Sequence, residues 1–226
     1  MKISKRLEAV ANLVSPNRII VDIGTDHGYV PIYLISHNII NKAVAADVGE
    51  GPLSRAVNNI KAYGLEGKIK TILSDGFKNV PKDDIDTAVI AGMGGDLIVN
   101  ILSVCDYVKD LDELVLSPHK HADLVRLKLK ELKFEIVEEK MIKDEGKFYP
   151  IIKAINSKNN PDGVYCADEV EVNFGPVLLK QKDEVLKEFL ETEYNKFINF
   201  KKKTKNDEPV LDAKIALLKQ GLDRVL

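Results

Sequence analysis

Residues 19–29, Ile-Ile-Val-Asp-Ile-Gly-Thr-Asp-His-Gly-Tyr, constrain the fold of this chain more than any other stretch. Ile19, Ile20 and Val21 form the apolar run that a buried parallel strand needs. The run breaks at Gly24, and the apolar, Pro-containing segment from Tyr29 to Ile35 reads as a helix. Strand, glycine turn and helix in that order build the floor of a nucleotide-type site in an open α/β sheet, where ligands bind beyond the carboxyl ends of the strands. Gly24 and Gly28 carry no Cβ, so the backbone there can come close to a ligand.

The turn lacks Gly-x-Gly-x-x-Gly, the spacing that cradles a dinucleotide pyrophosphate. Asp22 instead lies inside the strand, two residues before Gly24, where its charge would repel a pyrophosphate. It suits a cationic ligand with hydroxyls and an ammonium group, and S-adenosylmethionine is such a ligand. The plainer alternative is a strand-to-helix turn whose acids serve as caps.

Further strands follow in the same grammar. Ala43 to Ala46 is a short apolar strand ending at Asp47, 25 residues after Asp22. At that separation an acid meets the ribose of a nucleoside, and its carboxylate can accept from both hydroxyls; an acid at a solvated strand end is the alternative. Gly51-Pro52 opens a helix whose buried face is expected at Leu53, Ala56, Val57 and Ile60. Ile69 to Leu73 is a third strand, running into Ser74-Asp75-Gly76. An acid there can accept from an adenine amino group, although Asp-Gly is also a common turn. Ile85 to Ala91 is a fourth strand, running into Gly92-Met93-Gly94-Gly95. So many glycines after a central strand cost entropy unless backbone must approach something closely. This turn should line the same crevice as Gly24, with Met93 either on the face of an adenine or filling the core.

Leu97 to Leu102 reads as a helix, Leu114 to Leu116 as a fifth strand ending at Ser117-Pro118-His119, and Leu124 to Leu132 as another helix. His119 and His121 are two apart and make a poor metal pair, so no metal site is expected. Phe134 to Ile142 and Phe148 to Ile155 read as an antiparallel pair joined at Asp144-Glu145-Gly146. The whole is a parallel α/β sheet finished by one reversed strand. A helix over Ser4 to Val14 precedes it.

Residues 157–163 form a polar linker. Beyond it, Leu178, Leu179, Val185, Leu186, Phe189, Leu190, Phe197 and Ile198 recur at helical spacing and predict one long helix. Asp207-Glu208-Pro209 marks a turn, and Leu211, Ile215, Leu218 and Leu222 form a second stripe, so the two helices should pack as an antiparallel hairpin. The expected division is a sheet domain over 1–157 and a helical coiled-coil domain over 164–226.

With 226 residues, 45% of them hydrophobic and 30% charged, the chain has the balance of an ordinary globular protein. No apolar run approaches the roughly 20 residues that span a bilayer, and no secretory signal is visible. Two cysteines, Cys105 and Cys166, give no disulfide framework, which points to a reducing cytoplasm. A net charge of −2 leaves nucleic-acid binding to local patches. Lys196, Lys201, Lys202, Lys203 and Lys205 are either such a patch or a solvated helix end.

Taken together, Asp22 to Pro31, Gly51-Pro52 and Ile-Ala-Gly-Met-Gly-Gly at Ile90 to Gly95 resemble the bacterial tRNA (adenine-22-N1)-methyltransferase family. The resemblance covers the whole chain, including the Arg6-Leu7 helix, the Phe148-Tyr149-Pro150 strand and the helical hairpin. It implies a Rossmann-like class I methyltransferase sheet with a C-terminal coiled-coil hairpin, S-adenosylmethionine as cofactor, and tRNA as partner. It further implies that Asp22, Gly24, Thr25, Asp47, Asp75, Gly76 and the turn Ala91, Gly92, Met93, Gly94 hold the cofactor. One departure is Ser117-Pro118-His119, where a Gln-Pro-Asn type sequence is expected after the fifth strand; the part this loop plays in base recognition is open.

The implied chemistry is methyl transfer to adenine N1. Its lone pair lies in the ring plane, so alignment matters more than a strong base. The product ring gains positive charge, which a carboxylate can stabilise. Asp26, on the cofactor turn, is the first candidate for that role, or else an N-cap of the following helix. His27 and Tyr29 are candidates for orienting or stacking the base, or for simple packing. The target adenine must leave its stack, and the hairpin can supply phosphate contacts. Alternatives are a methyltransferase acting on another RNA or a small molecule, and a cofactor-binding module that recruits a protein. The expected state is a monomer or weak dimer, with no membrane partner; dimerisation is the alternative role of the helical stripe.

Overall fold

In a computed structural model of the chain, residues 1, 3–82, 84–159, 162–203 and 208–226 are described. Seven strands form one sheet in the order β3-β2-β1-β4-β5-β7-β6. They are β1 (Ile19–Ile23), β2 (Lys42–Asp47), β3 (Ile69–Leu73), β4 (Thr87–Met93), β5 (Glu113–Pro118), β6 (Phe134–Asp144) and β7 (Lys147–Asn156). The first five pair in parallel, while β7 runs antiparallel to both β5 and β6. The reversed strand is therefore the inserted one, and β6 forms the edge. Glu145 and Gly146 both have positive φ, 48° and 76°, as a two-residue primed hairpin turn between Asp144 and Lys147 requires.

Central strands of a sheet covered on both faces need mostly apolar residues, and these have them apart from Asp22, Thr87, Glu113 and Ser117 near the strand ends. Val21, Ile23, Ala88, Ile90, Leu114 and Leu116 face one core with α4 (Gly95–Val104) and α5 (Ala122–Glu131). Ile20, Ala43, Ala45, Val89 and Val115 face the other, with α1 (Lys5–Leu13), α2 (Tyr29–Ser36) and α3 (Glu50–Ala62). Ser4 caps α1 by accepting from Leu7 N–H. On α3 the buried residues are Ala56 and Ile60; Val57, expected on that face, is 43% exposed. The apolar side of α3 is narrower than the hydrophobic spacing implied.

The C-terminal segment corrects one expectation. Leu178 and Leu179 do not continue into the long helix. They belong to the short α7 (Pro176–Gln181), which follows α6 (Glu169–Phe174) and precedes α8 (Glu184–Lys203) and α9 (Pro209–Val225). Gly175, at φ 98°, separates α6 from Pro176, and Lys182, at φ 52°, ends α7. Asp183 then starts α8 by accepting from Leu186 N–H at 2.8 Å. The α8–α9 pair is an antiparallel hairpin: Lys201 pairs with Asp212 near one end, while Gly221 packs on Leu190 at the other. Lys205 of the basic run and Asp207 of the expected turn lie outside the described residues. The helices share a core with Met141 and Phe148 of the terminal hairpin of the sheet. Val164, just after the linker, exchanges backbone hydrogen bonds with Ile136 and so covers part of the β6 edge. Asn160 and Pro161 of the linker lie outside the described residues.

Candidate functional site

The crevice lies beyond the carboxyl ends of β1, β2 and β4. The amides of Gly24 and Thr25 both donate to Ala46 O, at 2.8 and 3.0 Å, which holds the first turn across the end of β2. Asp22 is buried, 6% exposed. Burial raises its carboxyl from 3.8 to about 6, opposed by the Thr25 hydroxyl and reinforced by the charge of Asp47. No cation is among these influences. The Thr25 Oγ1 is itself buried without a hydrogen bond of good geometry. An acid that is desolvated, has no cationic partner among the described residues and is opposed only by the loosely placed Thr25 hydroxyl fits a ligand that brings an ammonium group.

The second and third strand ends add acceptors. Asp47 Oδ1 accepts from Gly49 N–H at 2.7 Å, which fixes the carboxylate and leaves Oδ2 for a ligand hydroxyl. The backbone of Asp47 ties β2 to β3 through Ser74 N–H at 2.8 Å. Asp75 is exposed and pairs with Lys78 at 2.6 Å. An incoming amino group would have to replace that surface contact, which is weak. Gly76, at φ 59°, completes a turn closed by Ser74 Oγ, which donates to Gly76 O at 2.8 Å.

The glycine turn after β4 meets the first turn directly. β1 and β4 pair in parallel, and β4 extends beyond Ala91 to Met93. A Cβ built on Gly24 would lie 2.0 Å from Met93 Cε. Met93 therefore packs on the Gly24 turn itself, its sulfur and methyl lying over Gly24. Gly24 also has φ 75°, where an L side chain costs about 1–2 kcal/mol. Gly24→Ala is expected to displace Met93 and weaken cofactor binding at least about tenfold; isothermal titration of S-adenosylmethionine against both proteins checks this. Gly95 is tight for a different reason. Its N–H donates to Lys120 O at 2.8 Å, and a Cβ there would meet His121 O at 2.1 Å. This is close packing between α4 and the His119–His121 loop, away from the crevice.

Asp26 is not an N-cap. The cap of α2 is Gly28, at φ 67°, with no side-chain hydrogen bond. Asp26 faces α3, where Arg55 donates to its Oδ1 from Nη2 at 2.9 Å and Nε at 3.3 Å. His27 Nε2 lies 3.6 Å from the same oxygen. The His27 ring stacks on Tyr29, with centroids 5.0 Å apart and planes 6° from parallel, and Asn59 Nδ2 donates to His27 O at 2.9 Å. Asp26, His27 and Tyr29 thus form one cluster, and Arg55 and Asn59 are its supports from α3. Sequence reasoning missed both, because their partners lie 29 and 32 residues away.

A second group, on the other side of the Gly92 turn, was also missed. Gly92 has φ 87°, and a Cβ there would lie 3.6 Å from Arg6 Nη1 and 3.8 Å from His119 Nε2. Arg6 lies over the Tyr149 ring at 5.3 Å, and His119 meets the same ring edge-on at 5.3 Å. Burial, then Arg6 and Lys147, hold His119 below its usual 6.5. Among the described residues, no group of three His, Cys, Asp or Glu is placed to hold a metal.

Comparison with known proteins points the same way. Residues 20–222 match the family model described as tRNA (adenine(22)-N(1))-methyltransferase. A Bacillus subtilis protein of that name is 31% identical over 188 residues, covering 82% of this chain and 78% of its own. The Streptococcus pneumoniae protein Sp1610, solved in complex with S-adenosyl-L-methionine, is similar at TM-score 0.87 and 35% identity, covering 98% of this chain and 100% of that one. M. capricolum TrmK, solved with S-adenosyl-homocysteine, is similar at TM-score 0.86 and 27% identity, covering 100% of both chains.

Proposed function

The chain belongs to the tRNA (adenine(22)-N(1))-methyltransferase family, and we propose which of its residues carry out that family's reaction. The protein is an S-adenosylmethionine-dependent enzyme that methylates N1 of adenine 22 in tRNA. Bound S-adenosylmethionine supplies an electrophilic methyl group on a sulfonium centre. The residues around it have three tasks: to hold the donor, to align the base, and to stabilise the charge left on the ring.

Donor binding falls to the crevice. Asp22 meets the ammonium group, which supplies the positive charge that its buried carboxylate lacks. Asp47 accepts from the ribose hydroxyls, and Asp75 exchanges Lys78 for the adenine amine. Gly24, Thr25 and Gly76 give backbone access, and the Ala91, Gly92, Met93, Gly94 turn closes the opposite wall. The observation that carries this reading is Asp22: a buried acid with no counter-ion among the described residues, beside a glycine turn against which Met93 packs.

Adenine N1 needs no base to expose its lone pair. Asp26 lies on the same turn as Gly24 and keeps 61% of its side chain exposed despite the Arg55 contact. Its carboxylate can accept from the exocyclic amine and offset the positive charge that N1 methylation puts on the ring. Arg55 holds that carboxylate in place, and the stacked His27–Tyr29 pair offers a flat wall for the base. Residues 1–157 are read as the methyltransferase unit and 164–226 as the coiled-coil unit, in a monomer or weak dimer that works in the cytoplasm beside its substrate. Among the described residues, no helix is long and apolar enough to cross a membrane.

The test is methyl transfer from labelled S-adenosylmethionine to unmodified tRNA, with nucleoside analysis of the product. 1-Methyladenosine should form and should vanish when adenine 22 is replaced. Asp26→Ala is expected to lower kcat about 100-fold while leaving the Kd for S-adenosylmethionine nearly unchanged. An unchanged kcat would reduce the Asp26–Arg55 contact to a surface ion pair.

A further inference from the structure

Arg6 poses a chemical problem that the cofactor site does not solve. Its Nη1 is buried and has no hydrogen-bond partner. The nearby Asp144 carboxylate accepts from Arg6 N–H of the backbone at 3.4 Å, and Arg6 forms no ion pair among the described residues. The guanidinium is held by stacking on Tyr149 and directed at the Cα of Gly92. Ser117, paired in the sheet with Ala91, the residue before Gly92, is fully buried and also has an unsatisfied hydroxyl. Buried donors that lack acceptors are costly and uncommon, and a cationic one calls for an anion.

The surroundings indicate where that anion comes from. His119 packs beside Gly92 and also lines a cleft of about 240 Å³ that runs to the helical hairpin. Lys120, Phe148, Phe189 and Lys214 line the same cleft, so it joins the sheet domain to α8 and α9 with a basic, partly aromatic surface. A polyanion lying along the hairpin and this cleft would come beside the Gly92 turn at His119, which borders both. On the opposite side of that turn, Met93 covers Gly24.

We propose that Arg6 is a substrate-binding residue, whose guanidinium takes a non-bridging phosphate oxygen of the flipped target nucleotide as that nucleotide reaches the Gly92 turn. The inference rests on the reading of the Gly24–Met93 crevice as the methyl-donor site. A phosphate fits better than an adenine nitrogen. Methylation leaves a positive ring, which a lone guanidinium would repel, whereas a phosphate between them neutralises the guanidinium. Entry requires the Arg6 side chain to pivot on Tyr149, which a long side chain stacked on a ring can do.

The experiment measures tRNA binding as a function of salt, together with KM and kcat, for the wild type, Arg6→Gln and Arg6→Lys. Arg6→Gln should raise KM for tRNA about tenfold and reduce the slope of log K against log salt by about one phosphate contact. Its Kd for S-adenosylmethionine and its thermal midpoint should stay close to wild type. Arg6→Lys should recover the slope, since it keeps the charge, but only part of the affinity. A second measurement needs no variant fold: tRNA carrying neutral methylphosphonates at the target nucleotide should bind the wild type more weakly by the same factor, and Arg6→Gln should add nothing further. An unchanged salt slope in Arg6→Gln overturns the proposal even if affinity falls, because the contact would then be to the base. Parallel loss of S-adenosylmethionine affinity also overturns it, because Arg6 would then only shape the glycine turn. A wild-type protein that binds tRNA without methylating it would sink the functional reading and leave the Arg6 contact measurable through the slope.

Discussion

Asp22→Asn is expected to stabilise the ligand-free protein at pH 8 while weakening S-adenosylmethionine binding at least about tenfold. The carboxyl is held at about 6 in the folded chain against an ordinary 3.8. The folded state therefore binds the proton more tightly than the unfolded state does. Its advantage is intact below 3.8 and is lost as pH rises through 6, so above that pH the buried charge weakens the fold. A shift of this size corresponds to about 3 kcal/mol as an upper bound, and an amide of the same shape avoids it. Denaturant titrations of both proteins at pH 4 and pH 8 check the sign: the advantage of the variant should appear at pH 8 and shrink at pH 4. Binding runs the other way. The ligand ammonium favours the ionised form, so wild-type Kd should rise as pH falls below about 6, while the Asn variant shows no such step. A variant that is both less stable and unchanged in affinity would mean that Asp22 serves the fold alone.

Much of this site could be read in the chain because its grammar is local. Asp22, Gly24, Asp47 and Asp75 stand at strand ends, and an apolar run followed by a glycine or an acid is visible within six residues. The same holds for the Gly92 turn, where three glycines could have no purpose in a helix or strand interior. What stayed hidden depends on contacts between distant segments. Arg55 reaches Asp26 across 29 residues, and Arg6 meets His119 and Tyr149 only once α1 has folded over β5 and β7. The N-cap alternative for Asp26 failed because Gly28 begins α2 and the Asp26 side chain turns to α3 instead. The break before α8 is mixed. Gly175-Pro176 is a recognisable stop and restart, but Lys182 in a left-handed conformation has no signature that a hydrophobic stripe would reveal.

The least legible feature is also the one whose removal should cost the most stability. Arg126 on α5 and Glu139 on β6 form a fully buried ion pair at 2.9 Å. Arg126 Nη1 also donates to the carbonyls of Val172 and Asn173 at the end of α6, at 2.9 and 3.1 Å. Glu139 Oε2 accepts from Val177 N–H at 3.0 Å at the start of α7. The cation thus sits where the α6 helix dipole is negative and the anion where that of α7 is positive. Gly175 lies between them, and a Cβ there would meet Glu139 Oε2 at 2.5 Å, which leaves the acid room only because the residue is glycine. The pair fastens the C-terminal helices to the sheet. Arg126→Met is expected to destabilise the protein by about 3–5 kcal/mol, because Glu139 is left charged, buried and unmatched. Adding Glu139→Gln should restore part of that loss, since the amide oxygen can still accept from α7 and no charge remains; the coupling between the two changes is what a double-mutant cycle measures. In the Arg126→Met protein, at a temperature where the sheet stays folded, the hairpin should loosen first. Methylation of tRNA should then fall more steeply than S-adenosylmethionine binding, since the hairpin side of the cleft holds Phe189 and Lys214 while the acids proposed to hold the donor lie at the ends of β1 and β2 and just after β3. If Arg126→Met costs under about 1 kcal/mol, the pair is not what docks the helices, and their attachment must come from the apolar core around Met141, Phe148 and Phe174.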